Sequence, residues 1–425
     1  MPQSINPQAA LDSPQYRELL STAPIGQAFL FIDQSQQEVT DELIRICEIP
    51  APPFKEEARA AYIKHRFEEI GLERVRSDAE GNIIAERSGR SSGPSVVVSA
   101  HLDTVFPEGT DVRVRREGRR LCAPGISDNT CGLVSLISIA RALDSGRIET
   151  EGPIYFVATV GEEGEGNLRG VRYLFAEGDF SRGVDAFISL DGPGLERITQ
   201  RALGSRRYRV TITGQGGHSW GDFGIVNPVH ALGRAIARFA AYPAPVSPRT
   251  SYNVGVIEGG SSVNAIPETG SMTVDMRSVS SDEIDKLETY LQRVVDLAVR
   301  EENSQRAMSG TSLTFHIEQI GNRPSGETPL ESPLVRAAIE CSRALGIEPR
   351  LDCSSTDSNI PISLGIPAIT IGTGGRTGGF HALSEWIDVT DAWQGAQNAL
   401  VTVLGLVGVQ GVSEPLLARR PPRAR

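Results

Sequence analysis

Two textures of apolar and polar positions alternate along the chain. From Asp41 to Gly71 apolar residues recur at helical spacing (Leu43, Ile44, Cys47, then Ala58, Ala61, Tyr62, His65, Phe67 and Ile70), interrupted at Pro50 to Pro53, which predicts two helices. Short continuous apolar runs follow at Asn82–Glu86, Ser95–Ala100, Ile154–Val160 and Ala186–Leu190, with a helical stretch from Gly132 to Leu143 among them. A run that is apolar at every position has no polar face to show to water. These runs therefore predict strands of a largely parallel sheet covered by helices on both sides.

From Gly204 to Asn322 the order changes to strand (RYRVTITG), helix (Pro228 to Phe239), strands (TSYNVGVIEG and TGSMTVDMRS), helix (Ser281 to Arg300) and strand (SLTFHIEQI). This β-α-β-β-α-β order predicts a ferredoxin-like unit inserted into the first domain. The first domain then resumes with a helix from Pro333 to Leu345, the strand PAITIG and a closing helix from Val389 to Val407. The expected segments are 1–203, 204–322 and 323–425. Residues 1–40 are loosely patterned and 410–425 form a basic, Pro-rich end, so both are expected to fray.

Composition narrows the function. The 425 residues carry 42 Lys+Arg against 53 Asp+Glu, a net charge of −11, which argues against a nucleic-acid partner. With 39% hydrophobic and 22% charged residues, the chain is that of a globular protein and not a disordered one. Its 5 cysteines are odd in number, scattered and never in CxxC spacing, so neither a disulfide framework nor a thiolate zinc site is expected. No run approaches the ~20 apolar residues that span a bilayer, and the N-terminus lacks a basic segment followed by an apolar one. A cytoplasmic protein without a membrane partner is expected.

The informative polar residues fall where strands end. His101 and Asp103 follow SVVVSA, Glu162 and Glu163 follow IYFVATVG, and Asp191 follows AFISL. Open α/β sheets bind ligands along that edge. Asp128 opens a helix in GISDNTCG, and His381 lies in TGGFHALSEW. Two histidines with several carboxylates make an N/O ligand set suited to Zn²⁺. A pair of metals sharing one bridging carboxylate accounts for five ligands and leaves a position for water. In the Glu162-Glu163 doublet one carboxylate can ligate while the other serves as general base towards that water. His65, His230 and His316 read as packing or surface residues, and Cys131 as a small buried one. GTGGRTGG lacks the ending of a phosphate loop and reads as a tight approach to His381.

Taken in order, AHLDTV, GISDNTCG, GEEGEG, SLDGPG, GQGGHSW, SSVNAIPE and GGFHALSEW make the chain resemble the M20 family of metallopeptidases and aminoacylases, the peptidase T, glutamate carboxypeptidase and acetylornithine deacetylase group, from about Asp41 to Gly408. The resemblance implies a three-layer α/β catalytic domain of zinc-exopeptidase type with an inserted α+β ferredoxin-like lid and dimerisation domain, and hence a homodimer. It implies two Zn²⁺ per subunit, with Co²⁺ or Mn²⁺ as alternatives. His101 and Asp191 would hold one ion, Glu163 and His381 the other, and Asp128 would bridge them. Asp103 would orient His101, and Glu162 would act as general base towards a metal-bound water. His218 would stabilise the oxyanion, while Asn264 and Arg277 would bind substrate. The peptide bond after the bridging aspartate, Asp128–Asn129, is expected to be cis.

Two segments depart from the family pattern, Asn129-Thr130-Cys131 and SWGDFGIVNP after His218, and both are expected to shape the substrate pocket. The leading expectation is a dizinc exopeptidase acting on short peptides, of aminopeptidase type. The alternative is an amidohydrolase of N-acyl amino acids or a carboxypeptidase with the same site. Arg277 fits an α-carboxylate and Glu165 an α-amine, so the two are not separated. A non-catalytic metal-binding scaffold predicts loss of a ligand or of the base, and none of these residues is lost.

Overall fold

The computed structural model describes residues 14–306 and 312–423. Leu203–Gly326 form one compact unit, and the described residues before and after it form the other.

The larger unit is built on a mixed sheet. Its strands run in the spatial order Glu73–Ser77, Ile83–Arg87, Ile154–Thr159, Val96–His101, Ala186–Leu190, Ala368–Ile371 and Arg197–Ala202, with Arg350–Ser354 also paired to Arg197–Ala202. The centre is parallel, from Ile154–Thr159 through Ala368–Ile371. Three pairings are antiparallel: the two joining Ile83–Arg87 to its neighbours, and Ala368–Ile371 with Arg197–Ala202. The expectation of a largely parallel sheet is corrected to a mixed one. The antiparallel edge strands contain polar runs such as ERVRS, which carry no buried-strand signature.

Alternation along one strand explains the three layers. Val96, Val98 and Ala100 face a core built with the helices Ala23–Gln34, Gln36–Cys47, Glu57–Ile70, Thr130–Ser145, Pro333–Ala344 and Trp393–Val407. Val97 faces the opposite core, against Leu168, Val171 and Leu174 from around the helix Arg169–Ala176. Each such valine or leucine side chain contributes roughly 1.5–3 kcal/mol by leaving water. Both faces being dry is why the sequence shows no alternation.

Two expectations about the ends are corrected. Within residues 14–40 the chain forms helices at Pro14–Leu20, Ala23–Gln34 and the start of Gln36–Cys47. Ile25, Ala28 and Ile32 recur at helical spacing and are buried in the main core, with Phe29 and Phe31 partly buried against it. The C-terminal segment also docks: Leu416 and Leu417 donate their N–H groups to the carbonyls of Gly405 and Leu406 at 3.0 and 3.2 Å, and Leu417 is buried. The remainder of both expectations, residues 1–13 and 424–425, lies outside the described residues.

The unit Leu203–Gly326 contains a four-stranded antiparallel sheet in the order Thr250–Gly259, Thr269–Ser278, Gly204–Thr213, Thr314–Arg323. The helices Pro228–Phe239 and Ser281–Gln305 pack on it through Leu232, Phe239, Leu287 and Leu291 against Val210, Ile212, Met272 and Val274. This is ferredoxin-like order with a core of its own. Among the described residues no helix is long and apolar enough to cross a membrane.

Candidate metal centre

His101 ends the strand Val96–His101 and is buried. Its Nδ1 lies 2.9 Å from the main-chain oxygen of Asp103, which can only accept, so the ring proton is assigned to Nδ1. Nε2 is thereby directed at Asp128 Oδ1, 3.0 Å away, with Asp191 Oδ1 at 4.0 Å. The second oxygen of Asp128 faces His381 Nε2 at 3.2 Å, and that same nitrogen lies 3.2 Å from Glu163 Oε1. One carboxylate thus has an imidazole on each side, Asp191 beside the first and Glu163 beside the second. The ligand atoms of His101, Asp128 and Glu163 all lie within 4.8 Å of one another, as a metal ion requires.

The expected role of Asp103 is refined. Its main-chain carbonyl makes the closer contact with His101, the carboxylate oxygen being 3.6 Å from Nδ1. The carboxylate itself accepts the N–H groups of Glu162 at 3.0 Å and Glu163 at 2.8 Å, fixing the turn that carries the acidic doublet. Glu162 and Glu163 are both buried, whereas Glu165 is exposed.

The peptide bond Asp128–Asn129 is cis. The expectation that Asn129, Thr130 and Cys131 shape the substrate pocket is corrected: all three are buried and committed to the backbone. Asn129 Oδ1 caps the helix Thr130–Ser145 by accepting from Gly132 N, and its Nδ2 donates to Leu190 O at 2.9 Å, next to Asp191. Thr130 Oγ1 donates to Gly125 O, and Cys131 Sγ faces Ile126 O. His381 sits at φ 60°, in the left-handed region that a non-glycine residue seldom occupies.

The electrostatics suit a dication. Burial pushes Asp191 up to about 6, assisted by the neighbouring Asp128 charge. Burial also works to raise Asp128, but His101 and His381 outweigh it and hold the carboxyl well below its usual range. His101 loses by burial and gains more from Asp103 and Asp128, ending well above an ordinary imidazole. Hydrogen bonds that the imidazole donates to Asp128 and Glu163 raise His381 to about 10. Positive charge is favoured at this cluster of carboxylates, and two imidazoles with three carboxylates are donors that zinc accepts.

Two further residues hold the turns that carry the ligands. Glu385, fully buried, accepts the N–H groups of Gly125, Ser127 and Asp128 and the hydroxyl of Ser127 at 2.6–3.0 Å. Arg59, also fully buried, donates to Leu102 O and Ile49 O and so holds the turn between His101 and Asp103. Apart from the Ser127 hydroxyl, their partners are main-chain groups, which leave no side-chain signal at the partner positions. Glu385 stands in the GGFHALSEW segment, four residues after His381.

His218, Asn264 and Arg277 belong to the other unit. The strand Gly217–His218 pairs with Ala265–Ile266, which brings His218 beside Asn264, and Ser219 N donates to Asn264 O at 3.0 Å. His218 is exposed and its Nδ1 accepts the N–H groups of Trp220 and Gly221, both at 3.2 Å. Trp220 and Phe223, in the departing segment, are 88% and 80% exposed. Arg277 donates its Nε to Asp275 at 2.6 Å.

Residues 97–404 match the family model described as peptidase family M20/M25/M40. A putative succinyl-diaminopimelate desuccinylase of Mycobacterium tuberculosis is 26% identical over 345 residues, 79% of this chain and 89% of that one. The cytosol non-specific dipeptidase of Escherichia coli is 25% identical over 373 residues, covering 77% and 73%. Among solved structures, the aminopeptidase PepT of Bacillus cereus superposes with a TM-score of 0.71 at 21% identity, covering 87% of this chain and 98% of the other.

Proposed function

The chain belongs to peptidase family M20/M25/M40, and on that premise we propose that it hydrolyses amide bonds of short peptides at a two-metal centre. Membership makes it a metal-dependent hydrolase of the peptidase and amidohydrolase type. The observation that carries the finer reading is the Asp128 carboxylate, with one oxygen 3.0 Å from His101 Nε2 and the other 3.2 Å from His381 Nε2. His101 and Asp191 would hold one ion, Glu163 and His381 the other, and Asp128 both. Zinc suits this donor set. Bound there, the ions lower the pKa of a water and polarise the scissile carbonyl.

The protein's own part is orientation and proton transfer. Asp103 O keeps the proton on His101 Nδ1 and leaves Nε2 for the metal. Glu162, on the turn held by Asp103, takes the proton of the attacking water and returns it to the leaving amine. We assign His218 to stabilising the tetrahedral oxyanion, Asn264 and Arg277 to holding the substrate, and the Leu203–Gly326 unit to lid and homodimer contacts.

The second reading, an amidohydrolase of N-acyl amino acids, is favoured by the 26% identity to a protein named as a desuccinylase. The zinc-loaded enzyme should be offered a free tripeptide, the same peptide N-acetylated, and a set of N-acetyl amino acids, each with a chelator control. Cleavage of the free tripeptide supports the aminopeptidase reading. Preference for the blocked substrates replaces it with the acylase or carboxypeptidase reading.

A further inference from the structure

Three of the turns that carry ligands are tied crosswise by residues that are not ligands. Asp103, two residues after His101, holds the turn of Glu163. Asn129, next to Asp128, holds the carbonyl next to Asp191. Glu385, four residues after His381, holds the turn of Asp128. The last tie is the most heavily built. Glu385 Oε1 accepts Ser127 N at 2.8 Å, Ser127 Oγ at 2.6 Å and Asp128 N at 3.0 Å, while Oε2 accepts Gly125 N at 3.0 Å. The main chain adds Ala123 N to Glu385 O at 3.0 Å, where the short strands Arg120–Cys122 and Trp386–Asp388 begin to pair.

Four donors converge on two oxygens in a fully buried place, so only a group that accepts at both ends satisfies them. The same hydrogen bonds fix the backbone nitrogen of Asp128, from which the bridging carboxylate is hung, and they tie it to the loop of the other imidazole. Asp128 serves both metal positions, so an error in its placement reaches both.

We propose that Glu385 is a positioning residue for the metal centre, presetting Asp128 against His381 so that both metal positions exist before an ion arrives. This rests on the two-metal reading above. Glu385 touches neither substrate nor metal in this assignment, and it acts through the main chain of residues 125–128 and the hydroxyl of Ser127.

The test is Glu385→Gln, which keeps the shape of the side chain but sets an NH₂ group against one of the N–H donors. Zinc stoichiometry and affinity are measured by chelator competition, alongside the far-UV circular dichroism spectrum and the steady-state constants. Expected are an unchanged spectrum, zinc affinity weaker by about 10–100-fold at both positions, and a fall in kcat with little change in KM. A role confined to stability would lower the melting temperature and leave the zinc affinity of the folded protein alone, and that result overturns the proposal. If Glu385→Gln does not fold, Ser127→Ala carries the test by removing a single donor: weaker zinc binding supports the proposal and unchanged affinity overturns it. Should the wild-type chain bind only one ion, the two-metal reading fails, and the Glu385 effect is still read on that ion.

Discussion

The carboxylate of Asp103 accepts the main-chain N–H of Glu163 at 2.8 Å. A residue recognisable from the sequence as a partner of His101 therefore also holds a different turn with its carboxylate, while its carbonyl makes the closer contact with His101. The backbone of the acidic doublet is pinned independently of what its two side chains bind.

That arrangement separates the two roles of the doublet. Glu162→Ala should lower kcat by ~10²–10⁴-fold, the range for loss of a general base, while zinc content stays at the wild-type level because the turn is held by Asp103. Metal analysis and single-turnover kinetics check both halves. A variant that binds zinc and hydrolyses at the wild-type rate contradicts the assignment of the base.

Metal binding should release protons. In the metal-free protein His381 is raised to about 10 and His101 well above its ordinary value, so both imidazoles are charged at neutral pH. With folded values above unfolded ones, their ion pairs contribute stability that is fully present below about 6.5 and is lost as pH rises through about 10 for His381. A metal must displace these protons, so zinc affinity should rise with pH across that window. Calorimetry in buffers of different ionisation enthalpy should show one proton released per imidazole near pH 7. A pH-independent affinity would mean that these pairs do not form.

Gly132 offers a test of how closely the helix after Asp128 approaches the sheet. A Cβ there would lie 2.3 Å from Leu190 O and 2.3 Å from Asn129 Oδ1. Gly132→Ala should therefore destabilise by about 1–3 kcal/mol, as overpacking does, and should also weaken zinc binding by disturbing the contact beside Asp191. Denaturant unfolding of the metal-free protein measures the first effect, and a neutral substitution would show that the helix can move.

The sequence made the strand ends legible because the central strands are dry on both faces. Val96 to Ala100 and Ala186 to Leu190 stand out as apolar runs broken only by Ser99 and Ser189, and the ligating residues follow them directly. Edge strands were not visible in the same way: Glu73–Ser77 has an exposed, charged face, and Arg115–Glu117 is exposed at all three positions. Their strand character comes from pairing with a neighbour. The helices before Asp41 show no clear period because Ala23–Gln34 is apolar at most positions and has no polar face to mark it, and Tyr16, Leu19 and Ile25 become a face only against the rest of the core. Glu385 was hidden for another reason, since residue type at 125–128 says nothing about where those amide hydrogens point.

The inserted unit has one more property, set by its first and last strands. Gly204–Thr213 and Thr314–Arg323 are neighbours in its sheet, and Ser205 pairs directly with Arg323. Paired residues of antiparallel strands have Cα atoms about 5 Å apart, so the chain enters and leaves the unit at nearly one point. The unit therefore asks of the chain that carries it only two attachment points lying side by side, whatever the length of chain folded between them.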